Sequence, residues 1–427
     1  MKLFAVCTPG IDTLTSQELE GLGLAIHPST EQEPRVETGG IEFEGSLVDV
    51  YRSNLYLRTA SRILVRLGSF YAAGFPELRR KATRLPWEEY LAADRPVSIR
   101  VTCHKSRLYH QRAVAERIAG AISDRMKSPV EVAGHEEEKR ENILPHPHPY
   151  PPLEGEGARG VSGGRLNCSE DPESSTDSMV QSQLIFVRLV SNLCTISIDS
   201  SGELLHRRGY RLATAKAPLR ETLAAGMLRA SGWDGVSPLL DPFCGSGTIP
   251  IEAALMARRI PPGRGRHFAF MEWPAFNREA WETLLSEIPQ VCQLPSPEIR
   301  ASDRDAGAIR AAQANAERAG VSDCINFSCH AVSSIDPPPG PGWVVTNPPY
   351  GVRTETDRDL RNLYAQFGNV LRAKCPGWRV AVLCSSVQLL HSIGLEWERG
   401  ISLMTGGIKV KLVQGTVKKV EGKAKVK

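Results

Sequence analysis

The chain has no CxxC pair and no grouping of His and Cys at zinc-ligand spacing, although it carries ten cysteines and ten histidines. A structural zinc site is therefore not expected, and no metal is assigned. No apolar stretch reaches transmembrane length, so no membrane association is expected. The opening MKLFAVCTPGIDTL has one lysine and a short apolar run broken by Pro9, Gly10 and Asp12, which does not make a signal peptide. Cys7, Cys103, Cys244 and Cys384 then read as reduced thiols of a cytoplasmic protein. A strong charge of one sign is missing too: a net charge of +4 does not establish nucleic-acid binding, though it permits a basic face. What the chain does have is length and core material. Its 427 residues, 41% of them apolar, suffice for two or three domains and exclude a disordered chain.

Three blocks are legible. Residues 1–67 read as a small α+β unit: the strand LFAVC, the helix LTSQELEGLG, short strands around Gly39 to Phe43, and a second helix from Ser46 to Ala60. Residues 68–199 read as a second small sheet with crossing helices, from strand-like VSIRVTC (Val97 to Cys103), the helix RAVAERIAGAISDRM, and strand-like LIFVRLV and CTISIDS. Within it, 135–179 is rich in Pro, Gly, Ser, Glu and His and cannot build a core, so it reads as a flexible insertion and its HPHP as solvated low complexity. Over 200–416 strands alternate with helices, as in an α/β, mostly parallel, doubly wound sheet. ISLMTGGIKVKLVQGTV adds two antiparallel strands, and 417–427 is a basic tail.

Two segments of the third block carry chemistry. Asp241-Pro242-Phe243-Cys244-Gly245-Ser246-Gly247-Thr248 lies where a strand becomes a helix, the ligand-binding position of doubly wound sheets. It lacks the lysine of a phosphate loop, and Pro250 occupies the third glycine position of a dinucleotide fingerprint. An acidic first residue suits a cationic ligand, and Asp241 could face the ammonium and sulfonium of S-adenosylmethionine, directly or through water. A tight turn with a capping aspartate is the plain alternative. At the tip of the next strand, Asp303 is assigned to ribose hydroxyls and Asp305 to capping the following helix, although either could cap. The separation between loop and Asp303 is long because 259–297 is inserted.

Asn347-Pro348-Pro349-Tyr350-Gly351 follows the strand GWVVT. Two prolines cannot donate ladder hydrogen bonds, so the strand stops and delivers Asn347 and Tyr350 into a loop. An amide, several carbonyls and an aromatic face suit a planar group with an exocyclic amine, such as a nucleobase. The alternative is that Pro-Pro only ends a strand and Tyr350 only packs.

In this order, DPFCGSGT, ASDRD and NPPYG resemble a class I S-adenosylmethionine-dependent methyltransferase of the amino-methylating type. LHRRGYR, APLRETLAAGML, SGW and DPFCGSGTIPIEAALMA are similar to the bacterial RNA guanine-N2 methyltransferases that carry a THUMP domain, the subgroup acting on large-subunit rRNA. FAVCTPGIDTLTSQEL and Asn54 to Leu67 resemble that family's N-terminal ferredoxin-like module. The resemblance covers nearly the whole chain outside 135–179. It implies a ferredoxin-like domain over 1–67, a THUMP-like RNA-binding domain over 68–199, and a Rossmann-like class I methyltransferase domain over 200–416. It further implies S-adenosylmethionine as cofactor, held by Asp241 to Thr248, Asp303 and Asn347. Two departures are visible: the third strand, INFSCHAV, has His330 and Ala331 where many class I enzymes have an acid near the adenine. The chain also ends before the second methyltransferase domain of bifunctional relatives, so one activity and a monomer are expected.

The amine on C2 of guanine is a weak nucleophile. Hydrogen bonds from its N–H groups to the Asn347 oxygen and the Pro348 carbonyl would favour a more tetrahedral nitrogen, with Tyr350 stacked on an unpaired or flipped base. RNA contact is assigned to Arg207, Arg208, Arg211, Arg264, Arg266 and Arg353, with His267, Arg358 and Arg361 as further candidates; a solvated charged face is the alternative for each cluster. The expected partner is 23S rRNA or its precursor particle, with tRNA as the alternative RNA. DNA adenine-N6 methylation, glutamine-N5 methylation of a protein, and a non-catalytic RNA-binding assembly factor remain competing readings.

Overall fold

The computed structural model describes residues 1–26, 39–93, 95–132, 182–211, 219–288, 297–350, 357–398, 400–405 and 407–418. The tract at 135–179, Arg353 and all but Val417 and Lys418 of the basic tail lie outside these. No helix among the described residues is long and apolar enough to cross a membrane.

The N-terminal half contains β1 (Lys2–Cys7), α1 (Asp12–Gly21), β2 (Ala25–Ile26), β3 (Gly40–Glu44), α2 (Leu47–Tyr56), β4 (Ala60–Tyr71), α3 (Phe75–Ala82), β5 (Val97–His104), α4 (Gln111–Met126), β6 (Gln183–Val190) and β7 (Leu193–Asp199). These strands form one sheet, ordered β2-β3-β1-β4-β7-β6-β5, rather than two. The long strand β4 joins its halves, pairing with β1 on one side and β7 on the other, so position 67/68 falls within a strand. The helix expected from Ser46 to Ala60 is shorter. Ser46 and Asp49 start it with a capping box, but Leu57 is already extended and Ala60 pairs with Cys7 in the sheet. Strand pairing on both sides wins over the helical pattern before it, because the residues from Ala60 onward seat β4 between β1 and β7, with Arg62 to Val65 buried in succession.

The C-terminal half contains α5 (Glu221–Ala230), β8 (Leu239–Asp241), α6 (Thr248–Ala257), α7 (Arg278–Ser286), β9 (Ile299–Asp303), α8 (Ala306–Ala319), β10 (Ile325–Cys329), β11 (Trp343–Thr346), α9 (Asp357–Lys374), β12 (Arg379–Cys384), α10 (Val387–Ile393), β13 (Ile401–Thr405) and β14 (Ile408–Thr416). Its sheet runs β10-β9-β8-β11-β12-β14-β13. β8 to β12 are parallel where they pair, whereas β14 is antiparallel to both neighbours. The direction of strand addition reverses between β8 and β11, which puts the ligand crevice at the ends of those two strands.

Residues between α6 and β9 explain themselves only in three dimensions. Phe268, Phe270, Trp273 and Trp281 leave the methyltransferase-like sheet and enter the core of the N-terminal half. Tyr51 of α2 stacks on Phe270 with centroids 4.6 Å apart and meets Trp281 edge-on at 6.0 Å. Gly263 makes this approach possible: its N–H donates to Leu55 O at 2.9 Å, and a Cβ there would lie 2.7 Å from Asn54 O and 2.8 Å from Leu55 Cα. Both are backbone atoms, which cannot rotate away.

A second contact is polar. Arg58, in the turn between α2 and β4, donates through Nη2 to Leu255 O (3.3 Å) in the last turn of α6 and to Ile260 O (2.6 Å) just beyond it. The Arg58 and Thr59 amides donate to the Glu18 carboxylate, and Thr59 Oγ1 donates to it at 2.5 Å. Arg208 donates to Arg58 O at 2.7 Å and pairs with the fully buried Glu252 at 2.9 Å. Burial pulls the Arg58 guanidinium down to about 10, still charged at neutral pH.

Gly263→Ala should destabilise the protein by about 1–3 kcal/mol through overpacking, lowering Tm by several degrees. A calorimetric scan showing an unchanged Tm would mean that the two halves do not meet closely there.

Candidate active site

The Gly-rich loop is built by β8 and the start of α6. Gly247, at φ +85°, is the N-cap of α6, and a Cβ on it would lie 3.0 Å from Ala312 Cβ on α8. Gly245, at φ +52°, has open space where its Cβ would be. One glycine thus allows helix packing and the other leaves room for a ligand against backbone. Pro242, Cys244, Ser246 and Thr248 are buried, and only Phe243 and Gly245 are partly accessible. Burial pushes the Cys244 thiol well up, so it stays neutral. Asn315 of α8 donates to Ser246 O at 3.0 Å and fixes the loop from beneath.

Asp241 is 1% exposed, and its carboxylate faces inward. Thr346 Oγ1 donates to Asp241 Oδ1 at 2.6 Å, and the Phe243 amide donates to the same atom at 3.2 Å. Asp241 therefore ties the end of β8 to the end of β11. Thr346 is a partner that the sequence reading missed; its place directly before Asn347 was the available signal. Burial raises the Asp241 carboxyl to about 7.

Asp303 ends β9 and reaches back to the loop: its Oδ2 accepts the Gly245 N–H and its Oδ1 the Asp305 N–H, both at 3.0 Å. Asp305 is the N-cap of α8, accepting from the Gly307 and Ala308 amides. Each Asp303 oxygen keeps a further lone pair for a hydroxyl. His330 is occupied locally, with Nε2 2.9 Å from Ser328 Oγ and Nδ1 3.1 Å from Ala331 O.

Asn347 follows β11, and its Oδ1 is buried with no hydrogen-bond partner among the described residues. Such an acceptor is costly to leave empty, so the site is arranged for a donor that arrives. Pro349 O accepts from Tyr364 Oη at 3.3 Å, which helps hold the loop. Tyr350 is half-buried between two core clusters, so packing occupies part of its ring.

The arginines divide differently from expectation. Arg208 is buried against Glu252. Arg211 donates to Leu219 O (2.7 Å) and Glu221 (3.0 Å), and Arg266 donates to the carbonyls of Glu203 (2.8 Å), Leu204 (3.0 Å) and Arg207 (2.5 Å). These three are internal fasteners, because their donors are spent on carbonyls and carboxylates within the fold. Arg207 is half-exposed beside Glu203 at 3.5 Å, and Arg264 and Arg358 are exposed. His267 is likewise exposed and lies 2.7 Å from Glu272.

Known proteins share this arrangement. Residues 208–414 match the RMKL-like methyltransferase domain, 2–64 the RlmL ferredoxin-like domain and 72–136 the THUMP domain. The chain belongs to the THUMP-containing class I methyltransferases. A ribosomal RNA large subunit methyltransferase K/L of Syntrophotalea carbinolica is 32% identical over 97% of this chain, which spans 53% of that relative. A structure titled as a predicted N6-adenine-specific DNA methylase from Listeria monocytogenes is 31% identical, with a TM-score of 0.76 over 97% of this chain and 95% of that one. SMU.472, solved in complex with SAH, is 27% identical, with a TM-score of 0.77 over 98% of this chain and 99% of that one. S-adenosylmethionine is the methyl donor of this class. The open backbone at Gly245 and the Asp303 carboxylate fit such a ligand.

The shift of Asp241 has a sign that can be checked. A carboxyl raised from 3.8 to about 7 binds its proton more tightly in the folded state. Its stabilising contribution is complete below 3.8 and is lost as pH rises to about 7, above which it is flat. The ligand-free Asp241→Asn variant should therefore lose less Tm than the parent protein between pH 4 and pH 7. Parallel Tm–pH curves would show that Asp241 does not titrate in this window.

Proposed function

We propose that this protein transfers a methyl group from S-adenosylmethionine to the N2 amine of a guanine in RNA, most specifically in 23S rRNA. The observation that carries the reading is the buried Asn347 Oδ1 at the end of β11, beside the crevice formed with β8 and without a hydrogen-bond partner among the described residues. The THUMP match and the relative named as a large-subunit rRNA methyltransferase support RNA as the substrate class.

Asn347 Oδ1 accepts one N–H of the target amine and the Pro348 carbonyl accepts the other. The proline nitrogens carry no hydrogen, so they present no competing donor. Holding both N–H bonds draws the nitrogen lone pair out of conjugation and aims it. Tyr350 stacks on the base with the part of its ring that packing leaves accessible. The Asp241–Thr346 hydrogen bond holds Asn347 in register with the Gly-rich loop. Asp303 and the Gly245 backbone receive the ribose and the cofactor's flank. When bound, S-adenosylmethionine supplies a methyl group already activated by its sulfonium, so no strong base is required of the chain and the amine proton leaves to water after transfer.

Asn347→Ala should lower methyl transfer by about 100-fold or more while S-adenosylmethionine affinity stays within about threefold. Tritium transfer and calorimetry measure the two quantities, and retained turnover would remove Asn347 from the amine clamp. Offered unmethylated rRNA, tRNA, DNA and protein release factor side by side, the wild-type protein should label rRNA. Label in DNA alone would favour the adenine-N6 activity named for the Listeria relative.

A further inference from the structure

A cavity of about 320 Å³ lies at the edge of the C-terminal sheet, where the Pro9-Gly10 turn after β1 meets β12, α10 and the β13–β14 hairpin. Gly10 is pressed onto the hairpin: at φ +100°, its missing Cβ would fall 2.3 Å from Ser402 O. The cavity therefore has walls from both halves of the molecule. It also adjoins the amine clamp. Thr346 pairs with Val382, so Asn347 and Cys384 emerge together at the ends of adjacent parallel strands. Tyr364 Oη links the loop after Asn347 to the end of β12, donating to Pro349 O and lying 3.4 Å from Cys384 Sγ, and Cys384 lines the cavity.

Its rim combines apolar faces with unneutralised charge. Val387 is 47% exposed and Met404 38% exposed, both lining the cavity. Met404 pairs with Lys409 and Ser402 with Lys411, so the two lysines lie on one face of β14, about 7 Å apart by strand geometry. Both lysines are exposed, and neither has a carboxylate partner among the described residues, whereas Lys418 farther along the chain pairs with Glu396 at 2.6 Å. Asp12, just after the Gly10 turn, is engaged by the Gly10 amide and the Cys7 thiol.

The geometry points to this cavity as the seat of a nucleotide that flanks the methylated guanine in the RNA strand. The base lies against Met404 and Val387, and Lys409 and Lys411 neutralise the adjacent phosphates. A nucleotide is the occupant that pairs a flat, largely apolar face with an anion, and a strand leaving the amine clamp passes this rim. This assignment rests on the RNA reading above. It gives the Pro9-Gly10 turn a positioning task, because the turn closes the cavity from the side opposite α10.

The test uses the full-length protein and large-subunit rRNA transcribed in vitro, hence unmethylated. The Lys409→Ala/Lys411→Ala double variant should raise KM for this RNA about tenfold, with kcat and S-adenosylmethionine affinity unchanged. The dependence of log KM on log salt should flatten by about 1.4, from about 0.7 for each single-strand phosphate released. Lys409→Arg/Lys411→Arg should restore most of the loss, and both variants should keep the parent Tm because the two side chains are exposed. A KM within twofold of wild type with an unchanged salt slope overturns the flanking-nucleotide seat while leaving the RNA reading intact. Wild-type protein that labels DNA or protein but no RNA overturns both.

Discussion

The turn at Arg58 is the constraint on which the rest of the molecule depends. Its guanidinium holds carbonyls in the last turn of α6 and just beyond it, its amide is held by Glu18 of the N-terminal half, and its carbonyl is held by Arg208. Buried charges of this kind add little to net stability, but removing one partner strands the others, at a cost of about 3–5 kcal/mol. Such a network therefore selects one docking geometry over its neighbours. Because α6 begins at the Gly-rich loop, the same geometry fixes where any RNA bound to the N-terminal sheet stands relative to the cofactor crevice.

Apolar packing reinforces that choice from a different direction. The aromatic residues inserted between α6 and β9 cross from the catalytic half into the N-terminal core and complete it around Tyr51. The two contacts are close in the chain: Ile260 O accepts from Arg58, and three residues later the Gly263 N–H donates to Leu55 O.

Much of the catalytic half was legible because its signals are local. A strand ending in Gly-Ser-Gly, an acidic strand tip and a Pro-Pro stop each have a backbone reason that short segments reveal. Asn347 could be singled out in this way, although the lack of a described hydrogen-bond partner for its buried oxygen appears only in three dimensions. What sequence reasoning missed is non-local. Arg208, Arg211 and Arg266 look like a basic face in one dimension, but carbonyls and carboxylates 8 to 150 positions away absorb their donors. Thr346 was overlooked because a strand threonine has many plain roles, and its tie to Asp241 spans 105 positions. The Ser46-to-Ala60 helix failed at its end because pairing of Ala60 with Cys7 outweighs local helical periodicity.

The strand β4 also recasts what the family boundaries mean. The ferredoxin-like match stops at residue 64 and the THUMP match starts at 72, yet one uninterrupted ribbon from Ala60 to Tyr71 carries the hydrogen bonds of both. Modules that evolution can recognise separately are here a single mechanical beam. Peptide ladders run through the sheet from β5 to β1, and the Pro9-Gly10 turn that follows β1 rests on Ser402 of the β13–β14 hairpin.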